Sequence, residues 1–485
     1  MLRLVPNEHR VRRWASDARL DWITGALVLV FVVLRLVATT DRPIAFYLDS
    51  PSYFDFRIWG GVRFPVVTAL YAAVGDHRAL VVIQALTGAA AWAVAAVVAG
   101  TVLAHRGVRY AFQGALLALG LTLPVTRFDN ALLSESVAIS LTVVLVATVL
   151  RFACRPTGAT AIAVFVFGAL WALTRQSNAL LLGVAAVVLA GLGAGRADRR
   201  LAWRLAAGLL AVSLLGVLLA SSTTQIQEYN TAQILVRRVL LHDARERWFL
   251  DHGMPDNGRE LLVPPYENRF GDPAVELQED PTFGPWLRGE GQTTYLRYLL
   301  THPGFTITTP FSDDGALRPF AVGTTGYGSS HRVVPDLVET LFWPQEGDDQ
   351  TVLAAFVAGI LVVAAVSATR SRSRRRAFAG AGGVLVVAVA NIVLVTHSAG
   401  WEYERLLVPA GVAARFALLW LLAALAGDVS VAPASAVPGR ASRHRDAGSS
   451  GAATDPAPRT SPEPAVADSS ADRGADRASG PPGTS

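Results

Sequence analysis

Long uninterrupted apolar blocks dominate the chain, and apolar residues rarely recur at amphipathic spacing. Each block approaches the ~20 residues that a helix needs to cross a bilayer. Backbone groups in lipid have no water to bond, so each block must be helical. We predict ten such helices, at residues 22–40, 79–104, 109–126, 133–153, 159–174, 178–194, 201–221, 351–369, 377–397 and 406–427. The pattern predicts an all-α polytopic membrane protein with about ten transmembrane helices.

Arginines between the blocks predict the direction of each helix. If residues 1–21 form a cytoplasmic segment, arginines cluster in the connections on that side: Arg106, Arg109, Arg151, Arg155, Arg196, Arg199, Arg200, Arg370, Arg372, Arg374, Arg375 and Arg376. The short connections on the other side carry few. Because cytoplasmic loops are enriched in basic residues, we expect a multi-pass plasma-membrane protein with both termini in the cytoplasm. The first block exceeds the ~7–15 apolar residues of a signal peptide, so we interpret it as a retained anchor.

The remaining segments divide the chain further. Residues 22–221 hold helices one to seven with a first external loop at 41–78, and residues 351–427 hold helices eight to ten. Between them, residues 222–350 mix aromatic residues with charges and prolines, which predicts a large extracytoplasmic subdomain, α-rich or mixed. Residues 428–485 are rich in Ala, Ser, Pro and Gly without periodicity, which is typical of a disordered cytoplasmic tail.

Two shorter segments are predicted to be short helices that do not span the membrane. Phe64 to Val74 is apolar but too short to span, and it contains Pro65, so we expect an interfacial or re-entrant helix. Within the large loop, Tyr295 to Leu300 reads as a short helix that stops before Pro303.

Composition supports the membrane assignment and excludes some chemistry. Hydrophobic residues make up 52% of the chain, charged residues 17%, and the net charge is +5. The arginines follow the topology, so we expect no nucleic-acid partner. Cys154 is the single cysteine, which excludes an intramolecular disulfide and a cysteine metal site.

The first external loop contains a candidate general base. Asp49 lies in "FYLDSPSYFDFRIWGG", where aromatic residues such as Tyr53 surround it. A carboxylate beside aromatic walls can accept a proton from a substrate hydroxyl. The alternative is a solvated loop acid, and Asp41 and Asp55 are rivals for the same role.

A second acid begins the fourth predicted span. Glu135 lies in "LLSESVAIS", one turn inside the helix. A charge at the centre of a transmembrane helix costs about 2.5–3.5 kcal/mol, and less towards its ends, so Glu135 is expected to face a polar cavity. The alternative is a carboxylate that complements the helix dipole.

Two arginines could bind a phosphate. Arg175 is the single charge in the tight turn of "LTRQSNALLL", and its planar fork suits a phosphate at headgroup depth. The alternative is snorkelling to the interface. Arg405 follows Glu402 and Glu404 in "WEYERLLVPAG"; it is a second phosphate ligand or a salt-bridge partner of either acid. His302 in the large loop is a further supporting candidate.

Taken in order, these motifs resemble the integral-membrane glycosyltransferases of the GT-C superfamily, which includes protein mannosyltransferases and aminoarabinose transferases. The similar stretches are "LDSPSY", "LLSESVAISL", "LTRQSNALLL", "YLRYLLTHPGF" and "YERLLVPAG". The resemblance implies transfer of a hexose or pentose from a polyprenyl-phosphate donor at the outer leaflet to an extracytoplasmic acceptor. It implies that Asp49 assists the acceptor, that Glu135 is the acid of the middle span, and that Arg175 and Arg405 lie near the lipid phosphate.

One departure from this family concerns the first loop. Several members carry paired acids there, whereas Leu48 and Ser50 flank Asp49 here, which leaves open whether a divalent metal is needed. A polyprenyl phosphate is already a good leaving group, so one base and one or two cations would suffice. The alternatives are a transporter or flippase of lipid-linked glycans, or a non-catalytic membrane scaffold.

Overall fold

A computed structural model describes residues 21–47, 49–59, 63–193, 199–221, 224–259, 273–312, 320, 323, 326–344, 357–365, 372–399, 402–427 and 429. These residues form helices and turns, with two isolated bridges and no β-strand among them. The expected all-α class is therefore confirmed. The predicted cytoplasmic segment 1–21 and tail 428–485 lie outside the described residues except for Asp21 and Val429.

Eighteen α-helices have defined bounds within the described residues. They are α1 Trp22–Thr39, α2 Pro65–Val74, α3 His77–Gly100, α4 Arg106–Gly120, α5 Leu123–Thr126, α6 Glu135–Cys154, α7 Gly158–Ala172, α8 Gln176–Gly193, α9 Arg199–Ser221, α10 Thr224–Arg238, α11 Asp243–Leu250, α12 Pro273–Glu279, α13 Phe283–Trp286, α14 Gln292–Thr301, α15 Pro303–Thr308, α16 Asp336–Phe342, α17 Arg372–Ser398 and α18 Tyr403–Ala426. Short 3₁₀ turns cover Ser50–Tyr53, Arg127–Asn130, Asp256–Gly258 and Thr309–Phe311, and a π-helical turn covers Leu287–Gly291.

Seven of these helices are long and apolar enough to cross a membrane, as expected for a membrane protein. They are α1, α3, α6, α8, α9, α17 from Arg374, and α18. The block predicted at 109–126 is a pair of helical segments, Arg106–Gly120 and Leu123–Asn130, bent by 58°. The block at 159–174 is α7, which has 15 residues, and the block at 351–369 is helical over its described part, 357–365. The count of ten spans stays a prediction.

Local capping explains where several helices begin. The Asp21 carboxylate accepts a hydrogen bond from the Thr24 amide at the start of α1, and Asp76 does the same for Ala79 at the start of α3. Such caps satisfy backbone donors that have no partner inside the helix. The apolar segment predicted near residues 64–74 is helix α2, which at ten residues is too short to span.

The largest core joins α1, α3, α4, α6 and α18, and it contains a buried ion pair. Arg35 on α1 donates to the Gly120 carbonyl at 2.7 Å and lies 3.0 Å from the Asp129 carboxylate. The Ser136 hydroxyl on α6 donates to the same carboxylate at 2.7 Å. Both ionic side chains are almost fully buried, at 1% and 0% exposure. The pair thus fixes the segment before α6 against α1.

Part of the large loop has a core of its own. Leu235, Phe249, Leu277 and Phe283 belong to one buried cluster formed by α10 to α14 and the turns between them. Helix α14 is longer than the predicted Tyr295–Leu300 segment, but it ends before Pro303 as expected. Helix α10 contacts the ends of two long helices, since Arg238 donates to the Thr396 carbonyl at the end of α17 and to the Tyr403 hydroxyl at the start of α18.

Candidate functional site

Four of the residues singled out in the sequence meet at one end of the helix bundle: Asp49, Glu135, Arg175 and Arg405. Asp49 Oδ2 accepts a hydrogen bond from Arg405 Nη2 at 2.7 Å. Glu135 Oε1 is ion-paired with Arg175 and lies 3.4 Å from Arg405 Nε. Arg405 therefore stands between the two acids, and segments far apart in sequence contribute to one charged cluster. We call this group, together with Arg63 and Glu402 described below, the ionic cluster.

Backbone pairing between two loops brings the acids together. Ala45 donates to the Asn130 carbonyl at 2.8 Å, and Leu132 donates to the Ala45 carbonyl at 3.0 Å. The buried Ser50 hydroxyl donates to the Leu132 carbonyl at 2.9 Å. These bonds join the loop after α1 to the loop before α6. Asp49 precedes Ser50, and Glu135 begins α6, so the pairing places both carboxylates at the same site.

The turn between α7 and α8 is shaped by its own polar side chains. Asn178 Nδ2 donates to the Thr174 hydroxyl at 2.9 Å, and that hydroxyl donates to the Trp171 carbonyl at 2.7 Å. Arg175 lies between Thr174 and Asn178 in the sequence, and its Nε donates to the Ser134 hydroxyl at 2.9 Å. Arg175 is 10% exposed and Glu135 is fully buried. The snorkelling alternative for Arg175 therefore does not describe its position, because its guanidinium points to α6 rather than to solvent.

Glu402 belongs to the cluster, and its backbone is strained. Its carboxylate lies 2.6 Å from Arg405 Nη2, one turn along α18. Glu402 is the N-cap of α18 with φ 64° and ψ 28°, a left-handed conformation that non-glycine residues rarely adopt. Such strain costs on the order of 1–3 kcal/mol and concentrates at functional sites.

Arg63 was not among the predicted site residues, although it follows the aromatic loop that holds Asp49. Its Nη2 lies 2.6 Å from Asp49 Oδ1, and its guanidinium carbon stands 5.0 Å from the Tyr53 ring centre. Tyr53 is buried and donates to the Ser134 hydroxyl at 3.3 Å. Asp49 is thus held between two arginines, Arg63 and Arg405. The local "VRFP" motif could have suggested Arg63 only through its closeness to Asp49 in sequence.

Tyr327 was also missed, and no local motif indicates it. Its hydroxyl donates to Glu402 Oε1 at 3.1 Å, and its ring centre lies 5.8 Å from the Arg405 guanidinium carbon. Residues 326–335, which we call the strap, carry it across the cluster. The next residue explains why the strap can approach so closely: Gly328 has φ 66°, and a Cβ there would collide with the Arg127 carbonyl oxygen.

Further contacts hold the strap against the same end of the bundle. The Gly328 amide donates to the Tyr47 hydroxyl at 2.6 Å, and the His331 amide donates to the Ala38 carbonyl at 2.7 Å. Asn130 Nδ2 donates to the Ser329 carbonyl at 2.9 Å. The position of Tyr327 is therefore set by three separate segments.

Four predicted supporting or rival residues lie away from the ionic cluster. Asp41 is exposed, and exposed Asp55 pairs with Arg57 at 3.2 Å. Glu404 is exposed on α18. His302 lies at the end of α14, where its ring stacks on Tyr298 with centroids 4.1 Å apart. The ion pairs of Asp49 involve arginines and none of these four residues.

The electrostatic surroundings shift the pKa values of Asp49 and Glu402 in opposite directions. Burial opposes ionisation of Asp49, but Arg63 and Arg405 outweigh it, so the pKa of Asp49 is lowered below its ordinary value. Burial raises the pKa of Glu402; Arg405 opposes this increase, and Asp49 adds to it. Asp49 is thus an ionised acceptor of protons at neutral pH, whereas Glu402 is the acid of the two that protonates first as pH falls.

The cluster does not fit a divalent metal ion. In the described part of the chain, no group of three His, Cys, Asp or Glu side chains could hold one. The carboxylates of Asp49, Glu135 and Glu402 are instead engaged by guanidinium groups. Because each carboxylate already has a guanidinium partner, the cluster suits an anionic substrate better than a metal cation.

An apolar cavity of about 110 Å³ begins one to two turns below the ionic cluster. Pro409 lines it one turn beyond Arg405 on α18, and Thr142 lines it two turns beyond Glu135 on α6. Aliphatic side chains of α6, α8 and α17 form most of the remaining wall, including Leu182, Ala185 and Val384. The cavity therefore offers apolar space between the long helices, one to two helical turns from the charges.

The fold and the cluster define a class: a helical membrane protein with an acid and arginine site at one end of its bundle. No known protein family, curated protein or solved structure matches the chain. The likeness to GT-C glycosyltransferases therefore rests on the quoted motifs alone.

Proposed function

We propose that this protein is a membrane glycosyltransferase of the GT-C kind. It transfers a hexosyl or pentosyl group from a polyprenyl-phosphate donor to an extracytoplasmic acceptor, which is a cell-envelope glycan, a lipid or a protein. The observation that carries the proposal is the contact of one ionised acid, Asp49, with Arg405, which also approaches Glu135 beside Arg175. We place the cluster and the subdomain outside the plasma membrane, following the distribution of arginines.

The chemistry needs a base and a place for a departing phosphate. Asp49 takes the proton of the acceptor hydroxyl while that oxygen bonds to the anomeric carbon of the sugar. The bond between that carbon and the phosphate oxygen breaks, and the phosphate keeps the electron pair. Arg175 and Arg405 stabilise the growing negative charge on the phosphate, where guanidinium groups act strongly because the site is largely shielded from water.

A lipid-linked donor is favoured over a soluble one by the neighbouring cavity. The phosphate of such a donor sits at the end of an isoprenoid chain, so its site needs cations directly above apolar space. The cavity that begins beside Pro409 meets this need, since Pro409 lies one turn beyond Arg405. Burial of apolar chain there contributes roughly 25 cal/mol per Å² to binding.

The transporter alternative is less well supported. Transporters tend to place ionisable groups near the middle of the membrane at broken helices. Here the cluster lies where α6 and α18 begin, at the end of the bundle. A non-catalytic scaffold would not require an acid kept ionised between two arginines.

The direct test is the lipid content of cells that lack the protein. We expect such cells to accumulate a polyprenyl-phosphate sugar, because its consumer is missing, and to lose the accumulation when the wild-type gene is restored. Mass spectrometry of lipid extracts measures this. Unchanged lipid-linked sugars, together with lipid-linked glycan transport by the purified protein in liposomes, would replace the transferase with the transporter.

Filling the cavity should weaken use of the lipid donor. Ala185→Phe places a ring in the cavity wall, so we expect KM for a long-chain donor to rise about tenfold, a loss near 1.4 kcal/mol of binding. Val187→Phe is the matched control, because Val187 lies two residues further along α8 and is 68% exposed on the outer surface of the bundle. Equal KM values in the two variants would show that the cavity is not part of the donor site.

A further inference from the structure

The ionic cluster is balanced in charge, and this constrains how an anion can bind. Its acids are Asp49, Glu135 and Glu402, and its cations are Arg63, Arg175 and Arg405. With all six ionised, the formal charges cancel. A sugar joined to one polyprenyl phosphate is a phosphodiester with a single negative charge. Adding it without compensation would leave a net charge in a largely buried site, which is costly.

Glu402 is the acid of the cluster that can most easily be protonated and leave its partner. Asp49 is paired with both Arg63 and Arg405, and Glu135 lies beside both Arg175 and Arg405. The ion pairs that the described residues form with Glu402 involve Arg405 alone. Protonating Glu402 therefore disrupts one ion pair, whereas protonating Asp49 or Glu135 would disrupt two.

The position of Glu402 on Arg405 supports the same conclusion. Arg405 Nη2 is shared between Asp49 Oδ2 at 2.7 Å and Glu402 Oε2 at 2.6 Å, so two like charges crowd one nitrogen. Glu402 also holds its left-handed backbone while it makes this contact. Leaving Arg405 would reduce the repulsion between the carboxylates of Glu402 and Asp49.

We propose that Glu402 and the donor's phosphate bind Arg405 in turn, and that Glu402 leaves as the neutral acid, so that one proton enters the site with each donor. This inference rests on the proposed function. After the exchange, two acids face three arginines, and the phosphodiester restores the balance. Tyr327 donates to Glu402 Oε1, which stabilises the carboxylate and so sets how readily the exchange occurs.

Among the described residues, the charged and titratable groups that act on Glu402 come from several segments. Arg405 lies one turn along α18, and Asp49, which is itself paired with Arg63, comes from the first loop. Glu135 comes from the start of α6, and Tyr327 from the strap. The raised pKa of Glu402, caused first by burial, agrees with an acid that takes up a proton when another anion arrives.

The test counts protons during binding. Full-length protein in lipid nanodiscs is titrated calorimetrically with methyl farnesyl phosphate, a diester whose charge does not change near neutral pH, in buffers of different ionisation enthalpy. We expect uptake of about one proton per ligand and an affinity that falls about tenfold per pH unit once pH exceeds the pKa of Glu402 in the free protein. Farnesol is the uncharged control ligand.

Three variants make the assignment specific. Glu402→Gln keeps an acceptor for Tyr327 but has no proton to gain, so we expect no uptake and an affinity independent of pH. Glu404→Gln, which changes an exposed acid two residues away, should keep the wild-type uptake. Tyr327→Phe removes a bond that stabilises the Glu402 carboxylate, so the pH at which affinity begins to fall should rise.

The outcomes separate the two proposals. Binding of the diester without proton uptake, or a pH slope that survives in Glu402→Gln, would overturn the exchange and leave the transferase intact. If the wild-type protein does not prefer the diester over farnesol, both the exchange and the phosphate site are wrong. A raised pH midpoint in Tyr327→Phe supports the exchange even where Glu402→Gln unfolds.

Discussion

Asp49→Asn is expected to lower the rate of sugar transfer by about 10²–10⁴-fold, the usual contribution of a positioned general base. The amide keeps the size of the side chain but cannot take a proton from the acceptor hydroxyl. Initial rates with donor-containing lipid extract and purified protein measure the effect. Since the change acts on proton transfer, kcat should fall much more than donor affinity changes.

Asp55→Asn is the matched control for this prediction. Asp55 lies in the same loop and is paired with Arg57, but its side chain is 56% exposed and outside the ionic cluster. We expect its rate to stay close to that of the wild type. The lowered pKa of Asp49 further implies that the base stays ionised as pH falls, and is lost only once pH passes below that pKa. Full activity in Asp49→Asn would exclude Asp49 as the base and return Asp41 and Asp55 to consideration.

The second large effect concerns stability. Arg35→Leu should destabilise the protein by about 3–5 kcal/mol, because it leaves the carboxylate of Asp129 buried without its cation. The variant also removes the hydrogen bond from Arg35 to the Gly120 carbonyl. Reversible unfolding in mixed micelles measures the change in free energy of unfolding.

The double variant Arg35→Leu/Asp129→Asn distinguishes the ion pair from simple packing. Removing both charges should recover part of the loss, since no unpaired charge remains and the Ser136 hydroxyl can still donate to the amide oxygen that replaces the carboxylate. Arg57→Leu is the control, because the Arg57–Asp55 pair is mostly exposed and such pairs contribute about 0–1 kcal/mol. Additive effects of the two core changes would show that Arg35 and Asp129 do not stabilise each other.

The ionic cluster explains why isolated charges are tolerated beside long apolar helices. Glu135 and Arg405 are almost fully buried, at 0% and 6% side-chain exposure, and each is compensated by groups from other segments. Either charge alone would favour solvent over this position. Their burial therefore depends on the whole cluster being assembled, which ties the site to the folding of the bundle.

The sequence alone was sufficient for the long helices. Apolar runs such as Trp22–Thr39 and Gln176–Gly193 are helical in the structure because lipid-facing backbone has few alternatives. Helices interrupted by turns were harder: the run near residues 109–126 is bent by 58°, since Leu121 and Thr122 leave the helix before Leu123 begins the next one. The pattern of apolar residues along the chain reflects the average polarity of a segment. A bend within the segment hardly changes that average, so the pattern does not reveal the bend.

Sequence also indicated which charges to examine, because an acid or arginine at the end of an apolar run is costly without a partner. Only the tertiary structure decided who the partners are. Asp49 meets Arg405 across most of the chain, Arg63 joins them, and Tyr327 arrives on a strap whose close approach requires Gly328. Which distant charges pair depends on how the helices pack and how the loops close. The distances between these side chains in the fold cannot be inferred from the local sequence.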